Sequence, residues 1–301
     1  MILGLEVSNL TKRFGEVVAL ENVSLTFDSH EIFSIAGLPG AGKSTILRLL
    51  AGEETPTNGI VRVVRDRAGS SSIESTAIAF GSFQTPQKIP AISELDRASY
   101  VLFDDPFVEL EGASRRAAYD EFRLRHSKFE GTFIVATDSS CDAEAVSDRI
   151  GVLNEGSLRQ CGSPSEILDS PKDKFVAEFF GQPEINMLPG ILEKDGQAML
   201  IGNQTISLCG RIDEIFCRDI WVGVRPAKIQ LLREGNGWRG RILSTMRHGD
   251  SILIKLIVEN LPLRVLTDPT QEFTEGELVN VRIRAEDYLV FDDKGIRLEP
   301  L

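Results

Sequence analysis

The sequence predicts a mixed α/β domain with a phosphate-binding loop, followed by a small all-β barrel domain. The glycine-rich stretch GLPGAGKST, residues 37–45, and the short apolar strands and helices around it predict the first domain. Beyond about residue 190, helical periodicity gives way to short strands separated by turn residues, which predicts the second. A chain of 301 residues with 42% apolar residues is long and apolar enough for two such domains.

The first part of the chain leads into the loop through strands and leaves it through a helix. Residues 3–7 and residues 20–27 alternate between apolar and small or polar residues, which is typical of strands. EIFSIA, residues 31–36, is a short apolar strand that runs directly into the loop. STILRLLAG, residues 44–52, has its leucines and isoleucine at helical spacing and a glycine at its end. The loop therefore lies between a strand and a helix, as its motif requires.

Strands and helices continue to alternate after the loop. ASYVLFDDP, residues 98–106, is a buried strand that ends in acid, and residues 113–129 have the apolar periodicity of a helix. TFIVAT, residues 132–137, predicts another buried strand. Ser163 and Glu166 stand at the N-cap and third positions of a capping box. This order predicts a parallel sheet covered on both faces.

The pattern changes within GQPEINMLPG, residues 181–190. Strand-like segments then follow one another between Gly, Asp, Asn and Pro, namely WVGV, RGRILST, SILIKLIV, LPLRVL, LVNVRI and YLVFD. We therefore predict a nucleotide-binding domain over residues 1–181, a linker over 182–190 and a β-barrel domain over 191–301.

Composition narrows the possible functions. The formal net charge of −12 argues against a dedicated nucleic-acid-binding protein. The four cysteines, at positions 141, 161, 209 and 217, form no C-x-x-C pair, which favours unpaired thiols in a reducing compartment. The start of the chain does not resemble a signal peptide, and no apolar run is long enough to span a membrane.

The loop motif G-x-x-x-x-G-K-[ST] predicts binding of a nucleoside triphosphate. Its glycines let successive backbone N–H groups surround phosphate oxygens, Lys43 reaches the terminal phosphates and Ser44 can ligate Mg²⁺. The alternative is a glycine turn that binds nothing. The predicted nucleotide-binding residues of the loop are Gly37, Leu38, Pro39, Gly40, Ala41, Gly42, Lys43, Ser44 and Thr45.

The acidic end of YVLFDDP fits the second element of such a site, a Walker B acid. Asp104 is placed to hold the Mg²⁺ ion through its water shell, and Asp105 lies beside the expected position of the attacking water. The alternative is that both acids merely end a strand.

At this point the chain resembles a known family, the ATP-binding subunits of ABC importers, and most closely the maltose-type sugar-importer branch with a C-terminal TOBE-like domain. The segments LTKRFGEVVALENVSLTF, LNEGSLRQCGSPSEIL, GQPEINMLPG and VGVRP carry the resemblance in the family's order. In the first segment Phe14 stands where the family places a ring that stacks on adenine. A core or strand-end aromatic is the alternative for Phe14.

The resemblance implies ATP and Mg²⁺ as cofactors and an ABC ATPase-like fold. It also implies permease subunits in the membrane and a second ATPase subunit, identical or different, as partners. The protein would then be cytoplasmic and peripheral on the inner face of the cell membrane.

The match to the family fails in the helical subdomain. The signature motif L-S-G-G-Q is absent, and Asp104 follows Lys43 by only 61 positions, far fewer than in the family. Gln84 matches the Q-loop glutamine, with a catalytic and metal-binding role in the family, but its usual downstream context is missing. A surface polar residue is the alternative for Gln84. Most of the helical subdomain is therefore predicted to be deleted.

Two catalytic positions also depart from the family. Asp105 stands in place of the family's Glu, and Asp138 stands in place of its switch-loop His. The stretch VELEG, residues 108–112, replaces a polar S-N-L-D. An acid at position 138 would repel the γ-phosphate rather than donate to it. We therefore expect weak or absent ATP hydrolysis.

Two functional hypotheses follow. The first is an ATP-binding subunit of an ABC transporter that imports a sugar or related polar solute. The alternative is a non-transporting, ATP-binding regulatory or interaction protein derived from such a subunit. A third possibility, an oxyanion site in the barrel domain, lacks a concentrated basic pocket in the sequence.

Overall fold

The computed structural model describes residues 2–65, 77–81, 98–212 and 219–299. The chain divides into two compact units, Met1–Ser170 and Pro171–Leu301. The first unit contains these strands: β1 (Ile2–Phe14), β2 (Val17–Asp28), β3 (Ile32–Ala36), β4 (Asn58–Arg65), β5 (Ala77–Gly81), β6 (Ala98–Asp104), β7 (Thr132–Thr137), β8 (Arg149–Asn154) and β9 (Ser157–Gly162). Its helices are α1 (Lys43–Leu50), α2 (Gly112–His126), α3 (Ser140–Val146) and α4 (Pro164–Asp169).

A six-stranded sheet forms the centre of the first unit, with strand order β5-β6-β7-β3-β8-β9. Its neighbours pair in parallel except β8 and β9, which are antiparallel. A separate three-stranded antiparallel sheet has the order β2-β1-β4. The predicted α/β class with a parallel sheet is confirmed.

The large sheet is covered on both faces, as strand alternation dictates. On β7, Ile134 and Ala136 belong to one buried cluster, which includes residues of α1, β1 and β2. Phe133 and Val135, between them in sequence, belong to a second cluster with Phe122 of α2. The two faces therefore pack against different layers.

Local signals explain where several helices begin and end. Gly52, at φ 71°, follows the end of α1 and allows the chain to leave the helix. The capping box at α4 is present: the Ser163 N–H donates to Glu166 Oε2 at 2.7 Å, and Ser163 Oγ accepts from the Glu166 N–H at 3.3 Å. Helix α2 ends at His126 rather than at the predicted residue 129, yet Phe129 stays buried in the same cluster.

The second unit is built from antiparallel strands, in agreement with the predicted all-β class. The strands are β10 (Asn186–Leu192), β11 (Ala198–Ile201), β12 (Gln204–Ser207), β13 (Asp219–Val224), β14 (Ile229–Leu232), β15 (Trp238–His248), β16 (Ser251–Val258), β17 (Leu261–Thr267), β18 (Leu278–Ile283), β19 (Tyr288–Phe291) and β20 (Arg297–Leu298). They form two sheets with the orders β12-β11-β10-β13-β19-β20 and β14-β18-β15-β16-β17, and one buried apolar cluster includes residues of both.

A short helix, α5 (Lys174–Phe179), belongs to the second unit. Arg225, the arginine of the VGVRP segment, donates from Nη1 to the Ala177 carbonyl at 2.8 Å and to the Phe180 carbonyl. These bonds satisfy carbonyls at the C-terminal end of α5, which the helix itself leaves unpaired.

The compact units do not divide where the sequence places the domain limit. The sequence ends the first domain at residue 181, whereas the second unit begins at Pro171. The physical reason is α5, whose Ala177 packs in a buried cluster with Ile185, Leu289 and Phe291. Part of the predicted linker, from Asn186 onward, is strand β10. The limits of independently folding parts stay a prediction.

Candidate nucleotide-binding site

The glycine-rich loop connects β3 to α1, and its glycines are required by close contacts. A Cβ atom on Gly37 would lie 2.2 Å from the Leu153 carbonyl oxygen, and one on Gly42 would lie 2.5 Å from that of Ala19. Gly40 and Gly42 also have φ values of 83° and 101°, which L side chains rarely adopt. The loop backbone can therefore follow its path only with glycine at these positions.

Lys43 is the first residue of α1, and its ammonium group lies against the loop. The residue is only 6% exposed. Its Nζ donates to the Gly37 carbonyl at 2.8 Å and to the Leu38 carbonyl at 3.0 Å. A cation beside the N-terminus of a helix and a glycine loop is an arrangement suited to phosphate groups.

Ser44 and Asp104, the two residues that the sequence assigns to a Mg²⁺ site, lie close together at the edge of the sheet. Ser44 Oγ donates to Asp104 Oδ1 at 3.2 Å. Mg²⁺ is commonly held by one or two protein oxygens together with substrate phosphates and water, and these two side chains fit that pattern. Within the described part of the chain, no group of three or more His, Cys, Asp or Glu residues is arranged to hold a metal on its own.

Asp105 follows β6 in a left-handed conformation, with φ 43°. Its N–H donates to the Ala136 carbonyl at 2.8 Å, and its Oδ1 accepts from the Asp138 N–H at 3.1 Å. Burial raises the pKa of Asp105; the nearby Asp138 charge raises it further, while the Asp138 N–H and the Lys43 charge act in the opposite direction. The carboxylate is therefore engaged with the backbone of the next loop.

Asp138 lies at the carboxyl end of β7, close to the phosphate loop. The Gly37 N–H donates to the Thr137 carbonyl at 3.3 Å, so the two chain segments touch. The carboxyl ends of β3, β6 and β7 thus bring Lys43, Asp104 and Asp138 to one edge of the parallel sheet, where ligands of such sheets bind. The exposed Asp138 adds negative charge to this edge.

A buried network that sequence reasoning missed holds this loop from behind. Asp142 of α3 is 2% exposed and accepts hydrogen bonds from Tyr119 Oη at 2.5 Å and from Thr137 Oγ1 at 3.4 Å. Arg115 Nε lies 3.6 Å from the same carboxylate, and the Ser139 N–H donates to Thr137 Oγ1 at 3.1 Å. The one sequence signal for this network was Ser139, a residue type favoured at helix N-caps, three residues before the acid Asp142.

Phe14 lies at the end of β1 with 43% of its surface exposed, so it is not a core residue. Lys12 Nζ lies 4.7 Å from the centroid of its ring. Pro39 and Ala41 lie in the loop, and Thr45 lies in the first turn of α1. Gln84 lies outside the described residues.

The fold and the site together define a phosphate-loop nucleotide-binding protein with an added β domain. Comparison with known proteins agrees with this class. Residues 20–138 match the ABC transporter family, and residues 222–291 match the TOBE domain. The chain therefore contains an ABC transporter domain followed by a TOBE domain.

Several curated relatives extend over most of the chain. A xylose/arabinose import ATP-binding protein of Haloferax volcanii is 26% identical, with 96% of this chain and 93% of the relative covered. An sn-glycerol-3-phosphate import ATP-binding protein of Agrobacterium fabrum is 27% identical, with 77% and 78% covered. A spermidine/putrescine import ATP-binding protein of Pseudomonas aeruginosa is 27% identical, with 85% and 88% covered.

The match to the Haloferax volcanii protein also supports a shortened chain. It extends over 360 residues, whereas 96% of this 301-residue chain is about 289 residues. About 70 aligned positions therefore hold residues of the relative alone.

Among the described helices, none is long and apolar enough to cross a lipid bilayer.

Proposed function

We propose that the chain is the ATP-binding subunit of an ABC importer for a sugar or related polar solute, and that it binds Mg²⁺·ATP with weak or absent hydrolysis. ATP binding is supported by the intact loop, with Lys43 buried against it and Ser44 hydrogen-bonded to Asp104. The importer assignment is supported by the printed functions of the relatives, whose solutes are mostly small and polar.

Weak hydrolysis is supported by the position of the acid that would orient water. The Asp105 carboxylate is one methylene shorter than that of Glu and accepts a hydrogen bond from the Asp138 N–H. Misplacement of a catalytic group by about 1 Å can cost on the order of 100-fold in rate. Asp138 offers the γ-phosphate a negative charge where the family has a donor. Neither residue therefore helps to stabilise the charge of the transition state.

The proposed partners are permease subunits in the membrane and a second ATPase subunit. The protein would act in the cytoplasm, peripheral on the inner face of the membrane. In the family, each nucleotide lies between the phosphate loop of one subunit and the signature motif of the other, so pairing with a complete ATPase subunit would leave both such sites deficient. The site on this chain keeps Asp105 and Asp138, and the site on the partner faces a chain without L-S-G-G-Q.

The alternative is a non-transporting ATP-binding regulatory or interaction protein. The short interval of 61 positions between Lys43 and Asp104 favours it, because the family's helical subdomain contacts the permease. Deleting the gene separates the two. Loss of uptake of one solute supports the importer, whereas unchanged uptake of every solute tested, together with altered gene expression, supports the regulator.

Nucleotide binding is tested by titrating a fluorescent ATP analogue with Mg²⁺ into the wild type and into Lys43→Ala. Removal of the buried ammonium is expected to abolish binding, because no other cation of the loop can reach the phosphates. Lys128→Ala, at an exposed position after α2, is the matched control and should bind as the wild type does. Equal affinity of Lys43→Ala and wild type would rule out the proposed site.

A further inference from the structure

Lys12 is an almost buried lysine two residues before Phe14 on β1. It is 8% exposed, whereas Phe14 is 43% exposed. Its Nζ donates to Glu54 Oε2 at 2.7 Å and to the Thr55 carbonyl at 2.9 Å. The same Nζ lies 4.7 Å from the centroid of the Phe14 ring. Two of its three N–H donors are thus bound to oxygen, and the ammonium is held in one place beside the ring.

The oxygens that hold Lys12 belong to the segment that follows α1, the helix behind the phosphate loop. Glu54 donates its N–H to the Arg48 carbonyl at the end of α1, at 3.3 Å. Three residues after Glu54, the Thr57 N–H donates to the Thr11 carbonyl of β1 at 2.8 Å. Strand β1 and helix α1 are therefore tied together beside the ring.

A fixed cation changes what an aromatic ring can bind. The ring face is negative, so an ammonium within about 6 Å of the centroid is attracted to it, and more strongly when it is desolvated. That attraction draws ring electron density toward the cation. The remaining exposed surface of Phe14 then becomes a better partner for a flat, electron-rich base, which stacks on aromatic rings in an offset arrangement.

We propose that Lys12 is a positioning residue for the base of the bound nucleotide: its ammonium fixes the Phe14 ring and strengthens the stacking of a purine on it. The inference rests on the proposed function, because it takes Phe14 as the adenine-stacking residue. It assigns Lys12 to the base and not to the phosphates, which belong to Lys43 in the loop. The contribution of Lys12 to affinity therefore depends on the presence of a base.

Two ligands distinguish the contribution of the base to affinity from that of the phosphates. They are Mg²⁺·ATP, which has a base, and inorganic tripolyphosphate with Mg²⁺, which has none. Calorimetric titration of Lys12→Met is expected to show a loss of ATP affinity of about threefold to tenfold, the usual range for a cation–π contact, and unchanged tripolyphosphate affinity. Arg13→Met removes the same charge from the exposed neighbouring position and is the matched control. It should leave both affinities as in the wild type.

A second background tests whether the effect passes through the ring. In Phe14→Ala, the further change Lys12→Met should cost no additional ATP affinity, because the two residues act as one unit. Lys12→Met leaves Glu54 without its cation, so the double change Lys12→Met with Glu54→Gln is measured as well. It removes both charges together and should show the same base-dependent loss if the single variant does not fold.

Each outcome is decisive. A wild type that binds neither ligand overturns the proposed function and this inference with it. A wild type that binds ATP, with Lys12→Met and the double variant binding it equally well, overturns the inference alone. Equal losses for ATP and tripolyphosphate, or a loss that persists in Phe14→Ala, would show that Lys12 only supports the fold.

Discussion

The carboxylate of Asp105 and the backbone N–H of Asp138 are joined by a hydrogen bond of 3.1 Å. The bond connects the end of β6 to the loop after β7, the two places that the sequence resemblance assigns to the family's catalytic glutamate and histidine. In this chain the side chain at the first position holds the backbone at the second through this hydrogen bond. The same contact places two acids side by side at the edge that would receive the γ-phosphate.

Asp105→Asn is expected to stabilise the protein at neutral pH. The folded-state pKa of Asp105 is raised above its unfolded value, so the ionised form costs stability above the folded pKa, and that cost disappears as the pH falls through it. Asparagine keeps the acceptor atom and tolerates φ 43°. After allowance for solvent screening, we expect the free energy of unfolding at pH 7 to rise by about 0.5 kcal/mol.

Urea denaturation at pH 7 and pH 4 measures this gain. The advantage of Asp105→Asn should shrink toward pH 4, because the wild-type carboxyl takes up its proton there. Asp120→Asn, at an exposed position on α2, is the control and should change little at either pH. A variant less stable than the wild type at pH 7 would mean that the ionised carboxylate is needed to hold the Asp138 loop.

Asp104→Asn should weaken the Mg²⁺ dependence of ATP binding. Asp104 Oδ1 accepts a hydrogen bond from Ser44 Oγ. Because this oxygen carries negative charge, it binds Mg²⁺ more strongly than a neutral oxygen would. We expect the gain in ATP affinity on adding Mg²⁺ to fall by about tenfold, a typical cost of losing one metal contact, while affinity in excess chelator stays unchanged. An unchanged response to Mg²⁺ would place the ion elsewhere.

The C-terminal unit should fold alone as a β-rich domain, more stably from residue 171 than from residue 188. The longer fragment keeps α5, whose carbonyls accept from Arg225 and whose Ala177 is buried. Arg225→Ala in the longer fragment should lower the free energy of unfolding by about 1.5 to 3 kcal/mol, the range for hydrogen bonds to charged groups. Circular dichroism during a thermal melt compares both fragments.

Arg239→Ala, at an exposed position on β15, is the control for the loss of an arginine and should melt with the unchanged fragment. Equal melting of the two fragments would show that α5 adds nothing to the domain. A disordered spectrum from both would contradict an independently folding C-terminal part.

The phosphate loop could be predicted because its chemistry depends on residues that are adjacent in sequence. The order of strands and helices followed from periodicity, since TFIVAT is β7 residue for residue. The Asp105–Asp138 bond could not be predicted, because it joins residues 33 apart and depends on the pairing of β6 with β7. Lys12 was missed for a similar reason: a lysine in a strand is typical of a solvated position, and its partner Glu54 is 42 residues away. Helix α5 is too short for a periodic signal.

Restoring single catalytic groups should leave hydrolysis low. Asp105→Glu, Asp138→His and the double variant still lack the signature motif, and groups that act as a unit are strongly non-additive. A graft of a complete helical subdomain combined with both changes should raise the rate. A single substitution that restores turnover would contradict the importance of the missing subdomain.

Phosphate release by the isolated wild-type protein at saturating Mg²⁺·ATP tests most directly whether the chain holds ATP without efficient turnover. We expect a rate that cannot be distinguished from that of Lys43→Ala, although the wild type alone binds the nucleotide. A wild-type rate of about 1 s⁻¹ or more, the ordinary range for enzymes, would contradict it and would mean that the chain completes its catalytic site with other groups.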